Sequence, residues 1–121
     1  MIFISYAHVD AFLVKTQVFK PLTSKHFAVW FDENLIPGKD FEDQLENAIR
    51  QCDVVIFAAT PEASSSKWCL WELEKAQQYN KPIIPVLLQP RTKLPASISK
   101  LQYVDFTNGA KKRLWHSLST R

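Results

Sequence analysis

The chain has 121 residues, 46% of them apolar and 12% aromatic, which is room for one domain with a buried core, too little for two, and too apolar for a disordered chain. Its net charge of +3 is spread out apart from Lys111-Lys112-Arg113, so charge alone does not point to a nucleic-acid protein, and it suits anionic ligands of modest size. Two separated cysteines, Cys52 and Cys69, and three histidines without ligand spacing, His8, His26 and His116, exclude a zinc site and a disulfide framework.

Ile2 to Tyr6 is the first predicted strand. Asp10 is placed to cap the first helix, whose buried face carries Val14, Val18 and Leu22 at spacings of four; Pro21 is expected to end or bend it early. Ala28 to Phe31 is the second strand. Asp40 is placed to cap the second helix, and Phe41, Leu45, Ala48, Ile49 and Cys52 mark one face of it. Val54 to Ala59 is the third strand. The third helix is expected after Ser64-Ser65-Ser66, with Cys69, Leu73 and Ala76 on its buried face, and Lys81-Pro82 follows its end. Ile83 to Leu88 is the fourth strand. Gln89 to Lys100 holds two prolines and reads as a loop with one short helical turn. Tyr103 to Phe106 is a short fifth strand, and Lys111 to Leu118 is a last helix.

Most of these strands are continuous apolar runs, as expected for parallel strands covered on both faces. The alternation predicts an α/β domain over residues 1–121, with a central parallel sheet of five strands between helices. In such sheets ligands bind beyond the carboxyl ends of the strands, near the switch in strand order. That points to Ser5 to His8, Phe31 to Lys39, Ala59 to Trp68, and the loop from Gln89.

Much chemistry is ruled out. The only glycines are Gly38 and Gly109, so neither a GxGxxG pyrophosphate loop nor a Walker-type phosphate cradle is possible. A receiver domain needs an aspartate at the end of the third strand, and that strand ends Phe57-Ala58-Ala59-Thr60. There is no GxSxG elbow. No apolar run approaches the ~18 residues of a membrane span, and no basic stretch leads into a long apolar core at the N-terminus. A cytoplasmic setting, with neither membrane nor nucleic acid as partner, is the default expectation.

Three segments carry a family resemblance. Phe3-Ile4-Ser5-Tyr6-Ala7-His8-Val9-Asp10 is a strand ending in Ser-Tyr with an acid following. Trp30-Phe31-Asp32-Glu33-Asn34-Leu35-Ile36-Pro37-Gly38-Lys39-Asp40 places Pro-Gly before a capped helix. Trp68-Cys69-Leu70-Trp71-Glu72-Leu73 has the pattern W-C-x-x-E-L at the start of a helix. In this order and at these separations they resemble the three boxes of a TIR domain, over about residues 1 to 108. The resemblance implies a flavodoxin-like fold of three layers. It implies one of two roles: TIR–TIR contacts in a signalling adaptor, or cleavage of NAD+ at the nicotinamide–ribose bond, to nicotinamide and ADP-ribose or a cyclic isomer. Binding of a nucleotide-like signal without turnover is a third reading. In the NAD-cleaving members the glutamate of the third box is essential, and it falls on Glu72.

Trp68 and Glu72 stand at i and i+4, on one helix face near the crevice rim. Loss of nicotinamide builds an oxocarbenium-like ribose cation, which a carboxylate stabilises. Nicotinamide leaves a pyridinium as a neutral ring, so one carboxylate suffices, and an indole face suits the cation. Against this, a Glu three residues before Lys75 is ordinarily a solvated surface pair, and Trp71 competes with Trp68. Ser5, Tyr6, Ala7, His8, Phe31, Asn34 and Lys39 complete the expected substrate-binding set. Some NAD-cleaving members carry arginine where Ala7 and His8 stand, so phosphate binding there would fall to His8. Asn34, Leu35, Ile36, Pro37 and Gly38 form the expected interaction loop (the BB loop), its apolar residues hinting at a partner surface. No metal and no cofactor are expected, NAD+ being the substrate. Self-association is expected to switch the site on, with room for a sensor or oligomerising domain elsewhere in a longer protein and a part in immune or antiphage defence.

Overall fold

Five apolar runs form the strands β1 (Ile2–Ser5), β2 (Val29–Trp30), β3 (Val54–Ala59), β4 (Ile83–Leu87) and β5 (Val104–Asp105) of one parallel sheet in the order β2-β1-β3-β4-β5. The computed structural model describes residues 1–120, so Arg121, the last residue of the domain expected over 1–121, lies outside the described residues. Strand β3 sits at the centre because its six residues are all buried, and side chains on both of its faces need cover. Ile4 lies opposite Ile56, and Ile56 opposite Ile84, so the β-branched residues stack across the strands.

The two-residue period of a strand splits the core. Val54, Ile56 and Ala58 join Val14, Val18, Leu22, Leu114 and Leu118 on one face. On the other, Val55 meets Leu45, Ile49 and Ala76, and Phe57 meets Cys69 and Leu73. Each such apolar side chain contributes about 2 kcal/mol by leaving water. The helices supplying them are α1 (Ala11–Val14), α2 (Lys20–Ser24), α3 (Phe41–Gln51), α4 (Pro61–Ser65), α5 (Lys67–Gln78) and α6 (Lys111–Ser119). The result is the flavodoxin-like α/β fold expected from the sequence.

Local expectations fared unevenly. Asp40 caps α3 by accepting from the Asp43 N–H at 3.1 Å. Of the face marked on α3, Leu45, Ala48, Ile49 and Cys52 are buried, whereas Phe41 is half exposed and packs against Trp68. Pro21 does not end the first helix. Instead α1 passes through a π-helical turn (Lys15–Phe19) into α2, and the wider turn accommodates a residue with no N–H to give. Asp10 makes no cap. It is buried and accepts the Thr60 hydroxyl, bonding across the sheet in preference to its own helix. The serine run is itself partly helical: Thr60 caps α4, and Ser66 caps α5 by accepting from the Cys69 N–H. No helix among the described residues is long and apolar enough to cross a membrane.

Candidate functional site

Strand β1 ends on Ser5, which is wholly buried, and the hydroxyl of Ser5 donates to Oε1 of Glu72 at 2.7 Å. Glu72 comes from the second turn of α5, and only 7% of its surface is exposed. Burial disfavours the ionised form and pushes this carboxyl up to about 8; the Ser5 hydrogen bond pulls the other way, and the charge of Asp32 adds to the rise. Glu72 is therefore mainly protonated at neutral pH. The surface pair with Lys75 does not form. Lys75 turns to Glu46 on α3, 3.4 Å away, and lies over the Trp71 ring.

Asp32 follows β2 in a short 3-10 turn (Asp32–Asn34) and is the hub of the rim. One carboxylate oxygen accepts the Tyr6 hydroxyl, and the other stands 2.8 Å from Nε2 of His8. His8 itself is largely in solvent, with its ring 5.7 Å from that of Tyr6. Tyr6 is stacked flat on Phe31 at 4.7 Å, which fixes the phenol and, through it, Asp32.

These groups open onto a cavity of about 380 Å³, a ligand-sized space at the carboxyl ends of β1 and β2. One wall is aromatic. Trp68 meets Phe41 edge-on at 4.8 Å and Trp71 at 5.6 Å, and Trp30 lines the same space. Trp68 keeps 44% of its surface exposed, the half-covered state of a ring with a face left for something else. Trp71 sits behind it and does not line the cavity.

Of the expected site residues, Tyr6, Ala7, His8, Trp68 and Glu72 line this cavity, and Ser5 touches it through Glu72. Phe31, Asn34 and Lys39 do not, and each has a physical reason. Phe31 is 2% exposed because its side chain faces the core, beneath Tyr6 and against Phe19. Asn34 turns back to accept the Phe31 N–H at 3.0 Å. Lys39 lies beyond the loop, over a separate depression with Gln44 and Asn47. The loop divides likewise. Leu35 faces the cavity, while Ile36 is 52% exposed, and Gln44 clamps the Ile36 backbone through both its N–H (2.7 Å) and its carbonyl (3.1 Å). Gly38 supplies the turn with φ +83.

Asp32, Glu62 and Ser66 also line the cavity; they lie in the stretches 31–39 and 59–68 expected near a ligand but were not singled out. For Asp32 a signal existed, namely a carboxylate immediately beyond a strand's carboxyl end. Burial pushes the thiol of the neighbouring Cys69 up to about 11, which keeps it from the thiolate form at neutral pH.

The family model described as TIR domain matches residues 2–118. Toll-like receptor 1 of Homo sapiens is 30% identical over 108 residues, and Toll-like receptor 6 of Mus musculus 29%, each match covering 83% of this chain. The chain spans only 14% of the length of these receptors. Among solved structures, the TIR domain of the Toll-related receptor TRR-2 of Hydra magnipapillata is similar with a TM-score of 0.86 and 21% identity, over 98% of this chain and 94% of that one. The TIR domains of the activated Roq1 resistosome give 0.76 and 17%, over 98% and 97%. A TIR-STING receptor of C. gigas gives 0.74 and 26%, over 92% of this chain and 38% of that one.

Proposed function

The chain belongs to the TIR domain family, and we propose that its cavity cleaves NAD+ at the bond between nicotinamide and ribose. The observation that carries this reading is Glu72: a buried carboxyl lining an aromatic-walled cavity, held by the Ser5 hydroxyl and with no salt bridge among the described residues. A structural glutamate is ordinarily solvated or paired with a cation. One kept desolvated beside a half-exposed indole is arranged for a cationic guest.

In the proposed reaction the pyridinium lies against Trp68, with the ribose C1′ facing Glu72. The cationic ring favours the ionised form of Glu72, so the carboxylate forms where positive charge is to develop. The C1′–N bond breaks, and its electron pair stays on nicotinamide, which leaves neutral. The carboxylate stabilises the oxocarbenium-like ribose. Water adds to C1′ and gives up a proton, yielding ADP-ribose; an internal nucleophile in place of water gives a cyclic isomer. No cofactor takes part, since NAD+ is itself the substrate.

We extend the proposal to self-association through the loop of Asn34, Leu35, Ile36, Pro37 and Gly38, and to cytoplasmic signalling or defence within a longer protein. Exposed Ile36 supports the first of these, and the small share of the receptors that the chain spans leaves room for the second. The same exposed loop, with the receptor relatives, favours the competing reading of an interaction module without catalysis. The experiment that separates them incubates concentrated protein with NAD+ and follows nicotinamide by chromatography, with Glu72→Ala alongside. Release by the wild type alone supports the nucleosidase. Release by both removes Glu72 from its role, and release by neither, even when the protein is artificially clustered, leaves the interaction module.

A further inference from the structure

We propose that the cavity recognises the pyridinium nucleoside itself, a cation free of phosphate, so that nicotinamide riboside is cleaved at least as efficiently as NAD+. This rests on the nucleosidase reading and narrows its substrate class. The argument starts from charge. Two carboxylates, Asp32 and Glu62, line the cavity beside the largely protonated Glu72, and no lysine or arginine does so among the described residues. The one basic group there is His8, and its Nε2 is already engaged by Asp32 at 2.8 Å. Lys67, between the lining residues Ser66 and Trp68, is exposed and does not line the cavity, and Lys39 faces a different depression.

Some of the backbone donors beside the cavity are already taken. At the start of α5 the Cys69 N–H is taken by the Ser66 hydroxyl, and the Leu70 N–H by the Ser66 carbonyl at 3.0 Å. That helix terminus offers these two groups to no anion. A diphosphate brought to this rim meets like charge from Asp32 and Glu62, whereas a pyridinium meets opposite charge and an indole face. The chemistry is unchanged: the C1′–N bond breaks, the electron pair leaves with nicotinamide, water adds to C1′ and releases a proton, and the products are nicotinamide and ribose.

The test measures nicotinamide release by the concentrated chain from NAD+ and from nicotinamide riboside, at low salt and at about 0.3 M salt, where repulsion at a rim is screened. The expected result is kcat/KM for the riboside equal to or above that for NAD+ at low salt, with NAD+ gaining on it as salt rises. Glu62→Lys, a change at an exposed position, is expected to shift the ratio towards NAD+ by about threefold or more. A preference for NAD+ of about tenfold or more at low salt, unmoved by salt and by Glu62→Lys, overturns the proposal and leaves the NAD+ reaction standing. Release from neither compound overturns both.

Discussion

At the scale of single residues, Glu72 sets the pH behaviour. Its carboxyl is held near 8 in the folded chain against an ordinary value of 4.5, so it must lose a proton before it can stabilise a cation. We expect kcat/KM for nicotinamide release to rise with pH up to about 8 and then level off; a profile flat from pH 6 to 9 counts against Glu72 as the ionising group. The same shift acts on stability. Between pH 4.5 and about 8 the folded chain keeps a proton that the unfolded chain has released, so stability falls as pH rises through that window. Glu72→Gln keeps the acceptor for Ser5 and abolishes the titration. It is expected to melt with the wild type near pH 4.5, yet about 4 °C or more above it at pH 8.5, while losing about a thousandfold in nicotinamide release. Calorimetry at the two pH values and one activity assay check both halves.

At the scale of elements, the junctions after β1 and β3 are tied by one hydroxyl. Thr60 donates to Asp10 and accepts from the Ala63 N–H, so it caps α4 and satisfies a buried carboxylate at once. Thr60→Val keeps the shape and removes both bonds. We expect a loss of about 2–3 kcal/mol in denaturant unfolding with an unchanged m-value; a loss below about 0.5 kcal/mol would mean that Asp10 finds another partner. This tie shows where the sequence could and could not be read. The apolar runs, the Asp40 cap and the buried stripe Val14, Val18 and Leu22 are local patterns and were legible. The fate of Asp10 was not, because its partner lies 50 residues away and outcompetes a cap that looks right locally. Pro21 misled for a related reason: the helix absorbs it by widening over Lys15–Phe19, and packing of Val18 and Leu22 makes continuing worthwhile. Glu72 and Trp68, singled out by the three-box resemblance and not by spacing alone, both line the cavity. Phe31 faces the core because the alternation of sides along β2 continues past its end, and Asp32 went unassigned although it stands just beyond a strand's carboxyl end.

At the scale of the whole molecule, the cavity has walls from β1, β2, α3, α4 and α5 but lies open at a rim beside the exposed Ile36. If a neighbouring copy completes that rim, specific activity rises with protein concentration. We expect nicotinamide release to grow faster than linearly across the micromolar range, and strictly linear growth would show that each domain works alone. Whatever assembly forms, the sheet limits its kind. Both of its edges, β2 and β5, are two residues long, so neither offers more than a rung or two of unpaired backbone to an incoming chain. Cross-β growth needs such a template, and this domain withholds it. Any self-association is then left to side chains and loops. If crowding switches the domain on, as proposed above, short edges keep it from the one kind of aggregate that cannot be switched off.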